Sequence, residues 1–156
     1  MDVILCGGGD IGGAAAEMLT ASGDLVTVID SDAARLDYLE EHLDISVVHG
    51  SASSATVLQR AGAARADAVI ATTDSDEVNL VICDVAASLG AGRTLARVDH
   101  SMFLKDESID YASLFSVDQL FSPDRAMAMA MASRLRSPAA IAIEHFADSR
   151  IELQQV

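Results

Sequence analysis

The chain has no tryptophan, two prolines, two cysteines and a single lysine among its 156 residues. Aromatic side chains make up 4% of the sequence and hydrophobic ones 51%, so the core must be built mainly from alanine and branched aliphatic residues. Cys6 and Cys83 each fall within an apolar predicted element and belong to no C-x-x-C pair. We interpret both as small core residues, which argues against a disulfide framework, a thiol nucleophile or a metal site.

Positive charge and long apolar runs are also scarce. The sequence has 10 basic residues against 24 acidic ones, a formal net charge of −14, which repels nucleic acid and anionic lipid. No apolar run approaches the roughly 18 residues that a membrane-spanning helix needs, and the first residues predict a strand rather than a leader peptide. We therefore expect a reduced, cytoplasmic chain with no nucleic-acid partner and no direct membrane insertion.

What the sequence does contain is a regular alternation of short apolar runs and helical patterns. Strands are predicted at 2–6, 25–29, 45–49, 67–71, 93–98 and 116–121, and helices at 11–21, 32–43, 54–61, 75–89, 101–106 and 123–136. Because strands separated by helices pair in parallel and are covered on both faces, this order predicts an α/β fold with a Rossmann-like, doubly wound parallel sheet.

The C-terminal part departs from this alternation. Met127, Met129 and Met131 make the helix at 123–136 apolar on more than one face. That helix is either buried on two sides of its own domain or packed against another chain, and we favour the second. Residues 150–156 then predict a strand with no partner, as if the chain were part of a longer protein. We expect a Rossmann-like domain at 1–122, a crossover and dimerisation helix at 123–137, and the start of an incomplete lobe at 138–156.

The first predicted strand leads directly into a G-x-G-x-x-G turn, followed by a helix and a second strand that ends in Asp30. Gly7 permits a tight turn, Gly9 leaves room for a pyrophosphate, and Gly12 lets the helix lie close to the sheet. The start of that helix also attracts an anion. Asp30 can accept both ribose hydroxyls of an adenosine and would repel a 2′-phosphate, so the unit predicts an adenine-nucleotide site that prefers NAD(H) to NADP(H).

Groups that would support hydride transfer are not evident in the sequence. Oxidoreductases normally place an acid or base beside the nicotinamide, such as a tyrosine and a lysine four residues apart. Neither Tyr38 nor Tyr111 precedes Lys105 by four residues. We therefore predict no catalytic residue and no enzymatic activity, with an NAD-dependent oxidoreductase as the alternative.

Several motifs beyond the glycine turn are more discriminating. They are GGGDIG, TVID, HGSAS, the AGA at 61–63, ADAVIATTDSDEVNLVICDVA, ARV, FSP and EHFADSRIEL. In this succession the chain resembles the N-terminal nucleotide-binding unit of TrkA-type potassium-uptake regulators, the RCK or KTN domain. The resemblance implies a Rossmann-like domain that binds NAD(H) or ATP/ADP and forms a homodimer or larger ring through residues 123–136. It also implies a membrane K⁺ transporter subunit as partner, at the inner face of the cell membrane. A regulator of another cation transporter is a further alternative.

The resemblance also assigns parts of the nucleotide to particular residues. The expected cofactor-binding set is Gly7, Gly9, Asp10, Ile11 and Gly12 for the pyrophosphate; Asp30 for the ribose, with Ser31 and Arg35 close to it in sequence; Ser51 and Ala52 for the adenine; and Thr72, Thr73, Asp74, Glu77, Asn79 and Arg97 for the rest. No metal ligand is predicted.

Two positions depart from the family pattern. Many members have aspartate where this chain has Ser51, which predicts weaker adenine selectivity here. Members that prefer ATP often have arginine at the position of Asp10. Two like charges about 4 Å apart near a protein surface repel by roughly 4 kcal/mol at an effective dielectric of about 20. Asp10 therefore favours NAD(H), whereas ATP or ADP would need compensating charge from Arg97 or a partner subunit.

Overall fold

The computed structural model describes residues 1–105 and 108–136 together with the backbone of 142–146 and 151–155. The chain divides into two compact units, Met1–Phe121 and Ser122–Val156. No helix in the described part of the chain is long and apolar enough to cross a membrane.

The first unit is a six-stranded parallel sheet with helices between its strands. The strands are β1 (Asp2–Cys6), β2 (Leu25–Asp30), β3 (Ser46–His49), β4 (Ala68–Ala71), β5 (Thr94–Arg97) and β6 (Gln119–Phe121). The helices are α1 (Asp10–Ala21), α2 (Ala33–His42), α3 (Ala55–Arg60), α4 (Asp76–Leu89), α5 (Met102–Lys105) and α6 (Tyr111–Leu114). The strand order β3-β2-β1-β4-β5-β6 confirms the predicted Rossmann-like, doubly wound fold.

The core lies on both faces of the sheet, as the near-continuous apolar strands require. Ile4 of β1 packs in one buried cluster with Leu58 of α3 and Leu80 of α4. Its neighbour Leu5 belongs to a second cluster, formed with Leu36 and other residues of α1 and α2. Successive residues of β1 therefore pack against helices on opposite faces of the sheet. Because the strands are parallel, their carboxyl ends all lie at one edge.

The strand order reverses at β1, which pairs with β2 on one side and β4 on the other. The connections from β1 and β4 leave the sheet toward opposite faces at this point. A crevice opens at such a switch point in doubly wound sheets, beyond the carboxyl ends of the strands.

The apolar periodicity of the sequence did not predict two short elements. Helix α6 and a 3₁₀ turn at Ala63–Arg65 are each too short to show a helical period. The sixth strand is shorter than predicted because Ser116 has a positive φ of 53°, which interrupts an extended run from residue 116.

The second unit begins with α7 (Pro123–Arg136), where Ser122 Oγ accepts a 3.4 Å hydrogen bond from the backbone N–H of Arg125. Met127, Met129 and Met131 are exposed on this helix. Pairing of two chains through it remains a prediction.

The prediction that the C-terminal strand lacks a partner is wrong. Strand β8 (Ile151–Gln155) pairs antiparallel with β7 (Ala142–Phe146), with Phe146 opposite Ile151 and Ala142 opposite Gln155. The earlier strand was missed because its alanine-rich surroundings carry little β signal. Positions 150 and 156 of the predicted strand lie outside the described residues.

Candidate functional site

A cavity of about 410 Å³ opens at the switch point, beyond the carboxyl ends of β1, β2 and β4. Ten residues of the predicted cofactor-binding set line it. They are Gly7, Gly9, Asp30, Ser31, Arg35, Ser51, Ala52, Thr72, Thr73 and Asp74. The fold thus brings together residues from four separate segments that sequence reasoning assigned to one ligand.

The glycine turn forms the floor between β1 and α1. Gly7 has a φ of +107°, a conformation that L side chains rarely adopt. A Cβ added to Gly12 would lie 1.8 Å from the carbonyl oxygen of Gly7 and 2.9 Å from Thr72 Oγ1. The buried hydroxyl of Thr72 donates a 3.0 Å hydrogen bond to that same Gly7 carbonyl. These contacts hold the turn, α1 and the end of β4 together without room for another carbon atom.

Asp30 ends β2 and presents a buried carboxylate to the cavity. Its Oδ2 accepts a 2.7 Å hydrogen bond from the N–H of Gly8, and its Oδ1 accepts one of 2.8 Å from the N–H of Asp32. Burial alone would raise the pKa of Asp30, but the Asp32 and Gly8 amides, with Arg35, outweigh it and hold that pKa below its usual range. The carboxylate is therefore ionised and fixed in position before any ligand arrives.

The end of β3 forms the opposite wall. The imidazole Nε2–H of His49 donates a 3.0 Å hydrogen bond to the carbonyl oxygen of Ser31 and so joins the ends of β2 and β3. Gly50 then turns toward Ser51 and Ala52, which line the cavity with small side chains. The flat ring of an adenine could lie against such a wall.

The turn between β4 and α4 is held by Asn79, which is fully buried. Its Oδ1 accepts hydrogen bonds from the N–H and the hydroxyl of Thr73, at 2.9 and 2.6 Å. Its Nδ2 donates to the carbonyl oxygens of Thr73 and Arg97, both at 3.0 Å. Asn79 does not line the cavity; it positions the residues that do.

We expect Asn79→Ala to lower the free energy of unfolding by about 2–3 kcal/mol, because the truncation leaves the Thr73 N–H and the Arg97 carbonyl without their buried partner. Denaturant unfolding measures the change. Gln59→Ala removes the same amide group from an exposed position of α3 and should change stability by no more than about 0.5 kcal/mol. Equal losses in the two variants would contradict this role for Asn79.

Hydrogen bonds also join the start of α4 to the loop that follows β5. The buried carboxylate of Asp76, at the start of α4, accepts hydrogen bonds from the N–H groups of Asp99, at 2.9 and 3.1 Å, and of His100, at 2.8 Å. The first turn of α4 therefore holds both the β4 turn and the loop after β5.

Arg97 lies at the end of β5, beside a smaller cavity of about 290 Å³. Its Nη2 donates to Asp99 Oδ2 at 2.6 Å, and its Nη1 donates to Asp74 Oδ1 at 3.4 Å. Partial burial opposes the charge, but the two carboxylates prevail and raise the pKa of Arg97. This smaller cavity is also lined by Asp10 and Ile11, and it shares Gly9, Arg35, Thr72 and Asp74 with the larger one.

Three members of the predicted set line neither of these two cavities. Gly12 packs against the turn, Asn79 is buried behind it, and Glu77 is exposed, its Oε2 accepting a 3.0 Å hydrogen bond from Ser75 Oγ. Several lining residues and supports were not in the predicted set. These are Gly8, Ile29, His49, Gly50, Ser75, Val78 and Ile82. Ser75 caps the start of α4, and its spacing to Val78 and Ile82 on that helix is the helical signal that could have found three of them. Among the described residues there is no cluster of three or more acidic, histidine or cysteine side chains that could hold a metal ion.

The chain is similar in sequence to known proteins. Residues 3–123 match the family described as the TrkA-N domain. The Trk system potassium uptake protein TrkA of Haemophilus influenzae is 35% identical over 159 residues, covering 98% of this chain and 34% of that protein. TrkA of Vibrio alginolyticus is 32% identical over 158 residues, covering 100% of this chain and 34% of its own length. The chain thus spans about 34% of the length of these curated relatives.

Solved structures share the fold. The TrkA-N domain of the inner membrane protein ybaL from Escherichia coli aligns with a TM-score of 0.75 at 24% identity, over 86% of this chain and 96% of that one. GsuK bound to ADP aligns with a TM-score of 0.72 at 23% identity, over 85% of this chain and 34% of that one. The GsuK channel bound to NAD aligns with a TM-score of 0.70 at 23% identity, over 94% and 25% of the two chains.

Proposed function

The chain belongs to the TrkA-N domain family, and from that premise we propose that it is the nucleotide-sensing part of a regulator that gates a membrane potassium transporter or channel. It binds NAD(H) in the crevice between β1 and β4 and has no catalytic role of its own. The chain works at the inner face of the cell membrane through its transporter partner. The names of its relatives, potassium uptake proteins and a channel, support this class of partner.

The observation that carries the proposal is the ionised, buried carboxylate of Asp30 at the edge of a cavity floored by a glycine turn. A carboxylate in this place accepts the ribose hydroxyls of an adenosine, while the space beside Gly9 and the start of α1 receives the pyrophosphate. Because Asp30 is already charged, a 2′-phosphate beside it would be repelled. The site therefore prefers NAD(H) to NADP(H).

Charge at the far end of the crevice separates NAD(H) from ATP. Asp10 lies at the start of α1 and lines the smaller cavity with Asp74, whose side chain is 99% exposed. The γ-phosphate of ATP would bring further negative charge toward Asp10, whereas Asp74 is already paired with Arg97. ADP and ATP remain secondary ligands, and a GsuK structure bound to ADP supports that breadth within the fold.

Regulation requires two arrangements of an assembly and a ligand that binds one of them more tightly. Moving an equilibrium from about 1:99 to about 99:1 takes about 5.5 kcal/mol of differential binding, a demand that several linked sites in an oligomer divide between them. We propose that chains pair through α7, whose methionines are exposed, and that the nucleotide changes the angle between paired units.

Titration calorimetry of the purified protein with NADH, NAD⁺, ATP, ADP and NADPH tests the proposal, with sedimentation velocity to follow the assembly. We expect NADH and NAD⁺ to bind more tightly than ATP, NADPH to bind least, and the sedimentation coefficient to change with ligand. Absence of binding by all five nucleotides would contradict the sensing function. Steady oxidation of NADH with a small carbonyl substrate would favour an oxidoreductase instead.

A further inference from the structure

The crevice contains two arginines that could neutralise a bound pyrophosphate, and their surroundings differ. Arg35 lies on α2 and lines both cavities of the crevice, whereas Arg97 lines only the smaller one. We propose that Arg35 is the phosphate-binding side chain of this site and that it exchanges its contact with Asp30 for the nucleotide. This inference rests on the proposed nucleotide-binding function.

The guanidinium of Arg35 lies beside Gly9 of the glycine turn. A Cβ built on Gly9 would lie 3.9 Å from Arg35 Nη1, and no other described residue outside the turn comes within 4 Å of it. The space over Gly9 is where a glycine turn of this type lets a pyrophosphate approach the backbone. The guanidinium therefore already borders the space that the phosphates would occupy.

The protein holds the Arg35 side chain only weakly. Arg35 makes one 3.3 Å contact with Asp30 Oδ2, and its side chain is 45% exposed. That carboxylate keeps its hydrogen bonds from the Gly8 and Asp32 amides when the arginine leaves. A single long ion pair at a half-exposed position contributes little to stability, so its loss is easily offset.

Arg97, by contrast, is held by ion pairs with two carboxylates of the protein. Its guanidinium donates to both oxygens of Asp99, at 2.6 and 3.4 Å, and to Asp74 as well. The backbone of Asp99 is in turn fixed by Asp76. Moving Arg97 toward a ligand would leave two carboxylates without their cation, and Arg97 is only 17% exposed.

The exchange also completes the ribose site. When Arg35 leaves Asp30, an acceptor position on Oδ2 becomes free for a ribose hydroxyl, since a carboxylate offers about four such positions. Arg35 can then make charge-assisted, bidentate hydrogen bonds to phosphate oxygens. Ribose and phosphate recognition are coupled through one side chain, and affinity depends on the phosphates of the ligand.

Titration calorimetry with adenosine, ADP and NADH on the wild-type protein, Arg35→Gln and Arg97→Gln tests this assignment. We expect Arg35→Gln to lower the affinity for ADP and NADH by about tenfold or more, while the affinity for adenosine changes by no more than about twofold. Arg97→Gln should lower the affinity for each phosphorylated ligand by less than Arg35→Gln does. Arg60→Gln removes the same charge from an exposed position at the end of α3 and should leave all affinities unchanged.

A second measurement keeps the proposal testable if a variant does not fold. In the wild-type protein, the nuclear magnetic resonance signal of the Arg35 guanidinium should shift on addition of ADP and stay in place with adenosine. The assignment would be overturned if Arg35→Gln lost equal affinity for adenosine and ADP, or if Arg97→Gln lost more affinity for ADP than Arg35→Gln. It would also be overturned if the Arg35 signal did not shift with ADP. Each of these results would leave the proposed function standing. Failure of the wild-type protein to bind ADP and NADH would overturn both.

Discussion

Replacing Gly12 with alanine is expected to lower the free energy of unfolding by about 3 kcal/mol or more and to abolish nucleotide binding. The added Cβ would lie 1.8 Å from the Gly7 carbonyl oxygen and 2.9 Å from Thr72 Oγ1. Both neighbours are held in place, because Thr72 donates a hydrogen bond to that carbonyl and Gly7 has a positive φ. The helix must move away from the sheet, and the turn that would hold the pyrophosphate must move with it.

Gly13→Ala is the matched control for Gly12→Ala. A Cβ at Gly13 would meet Leu39 Cδ2 at 3.5 Å, an ordinary contact, and its helical backbone suits alanine. Removing a glycine from a helix interior should stabilise the protein by about 0.5–1 kcal/mol. Denaturant unfolding of both variants distinguishes the close contact at Gly12 from a general effect on α1. A Gly12 variant as stable as the wild type would contradict the packing described for the turn.

Asp30→Asn is expected to weaken NADH binding by about 100-fold, or about 3 kcal/mol. The amide nitrogen of asparagine cannot accept a hydrogen bond, so either the Gly8 N–H or the Asp32 N–H loses its partner. The ribose hydroxyls also lose an ionised acceptor. Titration calorimetry with NADH measures the loss, and the same titration with NADPH should show a smaller one because a repelling charge has been removed.

Asp37→Asn makes the same chemical change at an exposed position of α2 and should leave NADH affinity within about twofold of the wild type. If Asp30→Asn bound NADH as tightly as this control, the ribose site would lie elsewhere. A parallel loss for NADH and NADPH would show that Asp30 serves the fold of the turn and has no part in selectivity.

The parts of the site that could be predicted from sequence are those fixed by the backbone. The glycine spacing and the strand-terminal position of Asp30 follow from rules that connect residue type to chain geometry, and the structure places Gly7, Gly9 and Asp30 together on one cavity. The alternation of six strands with helices along the chain likewise follows from the apolar periodicity.

The parts that escaped prediction depend on where side chains point. Asn79 belongs to a polar motif at the start of a helix, and only the fold reveals that its amide faces inward between β4 and β5. No role was predicted for Gly8, yet its N–H fixes Asp30. The partner of the C-terminal strand escaped for a different reason, because antiparallel pairing depends on two segments and only one of them carried a strand signal.

The hydrogen bonds at the start of α4 have a mechanical consequence. Asn79 forms hydrogen bonds with the chain where it leaves β4 and with the carbonyl of Arg97. Asp76 accepts hydrogen bonds from the amides of Asp99 and His100. These two crossover segments cannot shift independently without breaking buried contacts. We therefore expect the turn at Thr73 and the chain entering α5 to move together with the first turn of α4 rather than separately.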